Sequence, residues 1–322
     1  MTEAWLELEI TAKAHEAVDI VRFELASADG ALLPPFAAGA HIDVEVAAGM
    51  VRQYSLCNAP SERNRYVIGV LRDPQSRGGS RAAHEQLQAG QRVRVSYPRN
   101  HFELAADAAR VVLLAGGIGV TPLLAMAEQL AAAATPFTLH YCARSKDRAA
   151  FLDRIAQARF SSAVNLHFDD GAAAQRLDID AALAVTLARA HLYVCGPPPF
   201  IDFVLERARA KGWPETALHR EYFVAPVQQR ATPDDEFEVE LGRSGRVFTI
   251  PRGRSIVDVL NAAGLEIDIS CEQGVCGTCL TRVLKGEPDH RDVYLTNAEH
   301  LRNDQMTVCC SRAKSARLVL DL

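Results

Sequence analysis

The sequence predicts a multi-domain fold: an N-terminal antiparallel β-barrel, a central α/β domain with a doubly wound parallel sheet, and a C-terminal α+β domain of β-grasp type. Three observations predict it. Residues up to about 102 alternate in short apolar runs broken by turn residues every ten positions or so. From about Arg110, continuous apolar runs alternate with helical stretches, the signature of a parallel sheet covered on both faces. A polar stretch then precedes a cysteine-rich end. At roughly 100–200 residues per domain, 322 residues leave room for two or three cores.

In the first region Leu6–Ile10, Ile42–Val46 and Val93–Val95 alternate cleanly, and Pro34-Pro35, Ala48-Gly49 and Ala89-Gly90 supply turns. In the second, strands are expected at Val111–Ala115, Phe137–Tyr141, Val164–Phe168 and Ala190–Val194. Helices are expected up to Ala134, over Phe151–Arg159 and over Phe200–Lys211. In the last, strands at Glu238–Leu241 and Arg246–Ile250 flank a helix at Ser255–Ala263, with Ser255 as its N-cap. The divisions drawn are 1–104, 105–226, a linker at 227–236 that is too polar to offset its ordering entropy, and 237–322.

Composition excludes several classes. An apolar content of 48% rules out a disordered chain, and a net charge of −5 argues against nucleic acid or an anionic membrane as partner. The longest uncharged run, Val111–Ala127, is short for a spanning helix and is interrupted by glycines and Thr121-Pro122. The N-terminus lacks the basic start and apolar core of a secretory signal, so a cytoplasmic protein is expected. There the eight cysteines read as metal, redox or buried residues and not as a disulfide framework. Most of the negative charge lies in residues 231–322, with 11 Lys+Arg against 15 Asp+Glu.

Cys271, Cys276 and Cys279 follow a C-x4-C-x2-C spacing, and Cys309 follows after 29 intervening residues. This is the plant-type [2Fe–2S] pattern; zinc is the alternative, but zinc sites more often pair two close dyads. Gly274 and Gly277 are expected to let backbone N–H groups approach the sulfur atoms, and Cys310 is assigned to the core. In the middle region, Gly116, Gly117 and Gly119 with Thr121 and Pro122 form a strand-to-helix turn of dinucleotide-binding character. Cys195, Gly196 and Pro197 end a later strand at the carboxyl end, where a ligand is expected. Cys195 is as readily a small core residue as a nicotinamide contact. Two further segments carry weaker signals. Arg52, Gln53, Tyr54 and Ser55 combine a phosphate-binding cation, a stackable ring and a hydroxyl, or form an ordinary barrel strand. Gly78, Gly79 and Ser80 make either a phosphate-holding turn or a surface hairpin.

Taken in order, these motifs resemble those of the phthalate dioxygenase reductase family, which includes the vanillate demethylase reductases, and the likeness spans essentially the whole chain. The resemblance implies an FMN-binding barrel, an NAD(P)H-binding domain and a plant-type ferredoxin domain. It implies that Arg52, Tyr54 and Ser55 contact FMN, that Val70 and Arg72 line the ring and ribityl chain, and that Gly79 and Ser80 hold the phosphate. Thr121 would sit between flavin and nucleotide, and Phe223 would shield the ring or pack between domains. Tyr141, Arg144 and Ser145 follow the second strand of the nucleotide domain, near the 2′ position of the nucleotide. Arg144 and Ser145 would suit a 2′-phosphate, whereas family likeness favours NADH over NADPH. Catalytic roles fall to Ser55, Thr121 and Cys195, and no general base is needed. The implied reaction is hydride transfer to FMN and single-electron transfer through the cluster to a Rieske-type terminal oxygenase. Other acceptors, namely a diiron or haem monooxygenase or ferric iron, are the alternative, as is a non-catalytic redox carrier. A monomer is expected.

Overall fold

Thirteen residues at the start of the described chain, Trp5–Ala17, form the longest strand and the spine of the first sheet. The computed structural model describes residues 5–75, 78–225 and 234–322, in two units: Met1–Phe223 and Val224–Leu322. The linker expected at 227–236 lies mostly outside the described residues.

In the first sheet, β1 (Trp5–Ala17), β2 (Ile20–Ala26), β3 (Ala40–Ala47), β4 (Met50–Ser55) and β5 (Tyr66–Leu71) precede helix α1 (Gly79–Gln86); β6 (Arg92–Ser96) and β7 (Arg99–Asn100) follow it. The order is β4-β3-β6-β1-β2-β5, all antiparallel, with β7 beside β3. The predicted barrel is not closed by a continuous ladder. Between the edges β4 and β5 the described residues show no ladder but an isolated bridge, Leu56 just after β4 to Ile68, with the Cys57 amide donating to Val67 O at 2.9 Å. Alternate residues such as Ile42, Val44, Phe23 and Ile68 fill its core, as the period of two requires. Helix α1 occupies the turn at 78–80 that the sequence left open between phosphate turn and hairpin.

The second sheet contains β8 (Arg110–Gly116), β9 (Phe137–Ala143), β10 (Val164–Phe168), β11 (Ala190–Gly196) and β12 (Leu218–Tyr222), in the order β10-β9-β8-β11-β12. Every pairing is parallel. Helices α2 (Val120–Ala132), α3 (Leu152–Gln157), α4 (Ile179–Ala182) and α5 (Pro198–Ala210) complete it. Val111 and Leu113 face one apolar layer and Val112 and Leu114 the other, which explains the uninterrupted apolar run. The chain reverses direction across the sheet between β8 and β11, so the loops after these two strands flank the switch point where ligands bind. The first of these layers also contains Ala17, Cys57 and Val67 from the first sheet, and this shared core joins the two sheets in one unit. The 104/105 division therefore falls inside that unit, between β7 and β8.

The second unit contains β13 (Phe237–Leu241), β14 (Val247–Ile250), α6 (Ile256–Ala262), β15 (Leu280–Lys285), β16 (Pro288–Asp289), α7 (Asn297–Arg302), β17 (Gln305–Thr307), β18 (Arg312–Ala313) and β19 (Arg317–Leu320). Its mixed sheet runs β14-β13-β19-β15-β17, with β13 and β19 parallel. Ser255 caps α6 in a reciprocal box with Asp258. Ile256 and Leu260 of that helix pack on Val239 and Leu318. Among the described residues no helix is long and apolar enough to cross a membrane.

Candidate redox site

Ser55 ends β4, Cys195 lies near the end of β11, and Glu221 pairs with Cys195 across the parallel β11–β12 ladder. Ser55 and Cys195 are both buried. Burial pushes the Glu221 carboxyl up to about 8, although hydrogen bonding to Ser55 pulls the other way. Its Oε2 is buried with no hydrogen-bond partner among the described residues. Burial, and then the charge on Glu221, drives the Cys195 thiol well above its ordinary range. At neutral pH the pocket therefore presents a hydroxyl, a protonated thiol and a largely protonated carboxyl, all uncharged. Glu221 was not assigned to the site from sequence. The available signal was one acidic residue inside a short strand next to the cysteine-bearing strand.

The glycine loop after β8 packs directly against this pocket. A Cβ on Gly119 would lie 2.3 Å from the Cys195 carbonyl oxygen, and one on Gly116 would lie 2.9 Å from the Phe200 ring and 3.0 Å from Pro197. A Cβ on Gly196 would likewise lie 3.0 Å from the Gly116 Cα. Three of the glycines thus let two loops interlock at the switch point. Gly117, by contrast with these three, combines open space with a left-handed φ of 54°. Thr121, in the first turn of α2, is buried and donates to Ile118 O at 3.0 Å, with Pro122 buried beside it. Its methyl group would lie 3.0 Å from a Cβ on Gly69, so the start of α2 sits on β5. Phe223 packs on the core shared by the two sheets.

Near β4 the Arg52 side chain lies along Gly79, where an added Cβ would meet its Nε at 2.3 Å. Gly78 adopts φ 86° before α1, and Ser80 Oγ accepts from the Asp73 amide at 3.1 Å. A guanidinium, a left-handed glycine and a helix start converge, a geometry suited to a phosphate. Gln53 Nε2 is a second buried donor without a partner among the described residues. Tyr54 is partly buried against the barrel core.

Four expected contacts are engaged elsewhere, and a fifth residue, Arg144, is simply exposed. The Val70 side chain belongs to the barrel core, and only its carbonyl is engaged, by His84 at 2.9 Å. Arg72 is exposed and paired with Glu85 at 2.7 Å. Tyr141 is buried in the sheet core, where its hydroxyl accepts from the Ala150 amide at 2.9 Å. The Ser145 hydroxyl is bound to Asp147, with Arg144 exposed beside it. In each case a stronger local partner claims the group: an apolar core, a carboxylate or a backbone amide.

In the second unit Cys276, Cys279 and Cys309 are buried and Cys271 is half-buried. Cys271 is within hydrogen-bonding reach of Cys276 and Cys309, and Cys309 of Cys279. Those neighbouring thiols, and then the Gln273 and Val275 amides at 3.4 Å, pull Cys271 towards thiolate. The same contacts push Cys276 and Cys309 up. Gly274 and Gly277 have φ values of 72° and 73°. Added Cβ atoms would strike Cys310 Sγ at 2.5 Å and the Tyr294 ring at 2.3 Å. Four convergent sulfurs with inward-pointing amides match the donor set of a [2Fe–2S] cluster.

Residues 239–314 match a family described as a 2Fe-2S iron-sulfur cluster binding domain, and residues 113–206 an oxidoreductase NAD-binding domain. A vanillate O-demethylase oxidoreductase from a Pseudomonas strain is 52% identical over 317 residues, covering 98% of this chain and all of the relative. The enzyme of the same name from Pseudomonas putida is 55% identical over 319 residues, with the same coverage. The solved structure of phthalate dioxygenase reductase superposes with a TM-score of 0.76 at 43% identity, covering 99% of this chain and 98% of that one. The chain belongs to the phthalate dioxygenase reductase family. It is an NAD(P)H-dependent flavin and iron–sulfur oxidoreductase that uses NADH, FMN and a [2Fe–2S] cluster. When bound, FMN exchanges an electron pair for single electrons. The residues present fit that cofactor: an anion cradle at Arg52 and Gly79, and unpartnered polar atoms on Gln53 and Glu221.

Proposed function

We propose that this reductase supplies electrons to a Rieske-type terminal oxygenase that demethylates or hydroxylates a small aromatic compound. The full-length likeness to two reductases named for vanillate O-demethylation carries this reading. In it, Arg52, Gly79 and Ser80 hold the FMN phosphate, Tyr54 lies against the ring, and Ser55, Cys195 and Glu221 surround the site of hydride transfer. Thr121 and Phe223 close it off from water. Gly117, with its open left-handed backbone, faces the nucleotide pyrophosphate, and Cys271, Cys276, Cys279 and Cys309 bind the cluster. NADH is the reductant, in keeping with the likeness to the phthalate dioxygenase reductase family. Eight free cysteines fit the reducing cytoplasm, and the chain acts as a monomer.

The test is reconstitution. Anaerobic NADH is expected to bleach the flavin and then reduce the cluster, with NADPH slower. Adding a purified vanillate-type oxygenase and its substrate should yield the demethylated product. Flavin bleaching without turnover by any Rieske oxygenase, alongside rapid reduction of a haem or diiron monooxygenase, would move the acceptor to those classes. Absence of flavin bleaching would leave only the carrier reading.

A further inference from the structure

We propose that His290, Asp292 and His300 bind a divalent transition cation, Zn2+ foremost, which fastens the segment after β16 to α7, beside the loop carrying three of the cluster cysteines. His290 and Asp292 follow β16 and His300 lies in α7; one ligand atom from each falls within 4.8 Å of the others. Asp292 Oδ1 is 3.8 Å from His290 Nδ1, and Asp292 Oδ2 is 3.2 Å from His300 Nε2. Ligands held about 2.0–2.1 Å from a tetrahedral zinc stand about 3.4 Å apart, between these two spacings.

The hydrogen positions make the stronger case. Asn303, left-handed at the end of α7, places its Oδ1 3.0 Å from His290 Nε2. A carbonyl oxygen only accepts, so Nε2 carries the hydrogen, and whenever the ring is neutral Nδ1 presents a lone pair. That lone pair faces Asp292 Oδ1. Both atoms are buried, and neither has a hydrogen-bond partner among the described residues. With the ring neutral, two electron-rich atoms facing each other at 3.8 Å favour a positive charge between them, a proton or a bound cation. Holding the far nitrogen of a histidine by a carbonyl is also the usual way a metal-binding ring is oriented. The Leu295 amide, 2.8 Å from Asp292 Oδ2, fixes the carboxylate. Two imidazoles and one carboxylate are a borderline-soft set that suits Zn2+, with a position left for water.

The consequence reaches the cluster loop. The Val293 and Tyr294 amides both donate to Gly274 O, at 3.0 and 3.2 Å. A cation at Asp292 therefore clamps the segment that supports Gly274. Binding displaces any proton on the imidazoles, so affinity falls as the pH drops below the histidine range.

The holoprotein, with flavin and cluster in place, is dialysed against micromolar free Zn2+, and zinc and iron per chain are measured by elemental analysis. Asp292→Asn and His300→Gln are treated alongside. The wild type is expected to take up one zinc beyond its two irons and to melt at a higher temperature with zinc. Both variants should bind zinc at least tenfold more weakly while keeping their iron and NADH-dependent flavin reduction. His300→Gln, on a half-buried ring, carries the test if Asp292→Asn fails to assemble the cluster. No zinc uptake by the wild type, or unchanged uptake in His300→Gln, overturns the proposal. A wild type that ignores zinc but whose melting temperature follows pH would put a proton where the cation was placed.

Discussion

Cys195 sits at the end of a central strand with a buried carboxyl beside it, whereas Cys271 opens a loop whose own amides point back at its sulfur. The same side chain is driven in opposite directions. Around Cys195 and Glu221 the protein removes water and supplies few donors, so the pocket stays neutral. Around Cys271 it supplies amides and neighbouring thiols, and the loop is prepared for anionic ligands. The first arrangement draws strands 52–55, 190–196 and 218–222 from distant parts of the sequence. The second is nearly complete within nine residues. Neutral pockets are built by burial, which is a property of tertiary structure; anion-stabilising loops are built by local backbone.

The sharpest way to separate the two is to remove one. Cys279→Ala should abolish the cluster, leaving no [2Fe–2S] absorbance and no reduction of cytochrome c by NADH. Anaerobic flavin bleaching should continue near the wild-type rate, because the neutral pocket lies in the other unit. Rapid-mixing spectroscopy reads both at once.

Glycine positions next to the two cysteines test the same contrast through packing. Gly119 has an ordinary helical φ of −61°, so alanine there is penalised by packing, against the Cys195 carbonyl oxygen 2.3 Å and the Gly196 nitrogen 2.6 Å away. Overpacking of this kind costs about 1–3 kcal/mol. Gly119→Ala should lower the melting temperature of the first unit and slow flavin reduction, with cluster content unchanged. Gly277→Ala, strained by its φ of 73° as well as by Tyr294, should do the reverse and deplete iron.

Glu221 gives a test by pH. Its folded value of about 8 stands above the ordinary 4.5, so the folded chain holds a proton that the unfolded chain releases. The stability this contributes is complete below pH 4.5 and is lost as pH rises towards 8. Glu221→Gln should flatten that decline in chemical denaturation measured from pH 5 to 8.5. It should also erase an inflection near pH 8 in the rate of flavin reduction. An unchanged pH profile would remove Glu221 from the pocket's chemistry.

The contrast also explains what the sequence reveals. The convergence of Cys271, Cys276, Cys279 and Cys309 was legible from spacing because most of that geometry is local. The parallel sheet was legible from Val111–Ala115, whose apolar run has no other economical use. Glu221 was not, since its meaning depends on lying beside Cys195 across a strand ladder. The contacts of Tyr141 and Ser145 were hidden for the same reason: the Ala150 amide and the Asp147 carboxylate that engage them are set by the fold. Barrel closure was equally out of reach, because whether β4 and β5 form a ladder or a single bridge depends on sheet curvature.

The smallest effect is expected at the pair where spacing had to choose between neighbours. Cys309 lies in the apolar core with its sulfur near Cys271 and Cys279, while the Cys310 sulfur turns towards Gly274 and the Thr307 hydroxyl at 3.2 Å. Serine at 310 retains a hydrogen-bonding group of similar size in that position. Cys310→Ser should therefore keep two irons per chain and wild-type cytochrome c reduction, with at most a small change in the electron paramagnetic resonance of the reduced cluster. Cys309→Ser should lose the cluster. If the two variants behaved alike, the fourth ligand would not be fixed by where the sulfur points, and the loop would be accepting either neighbour.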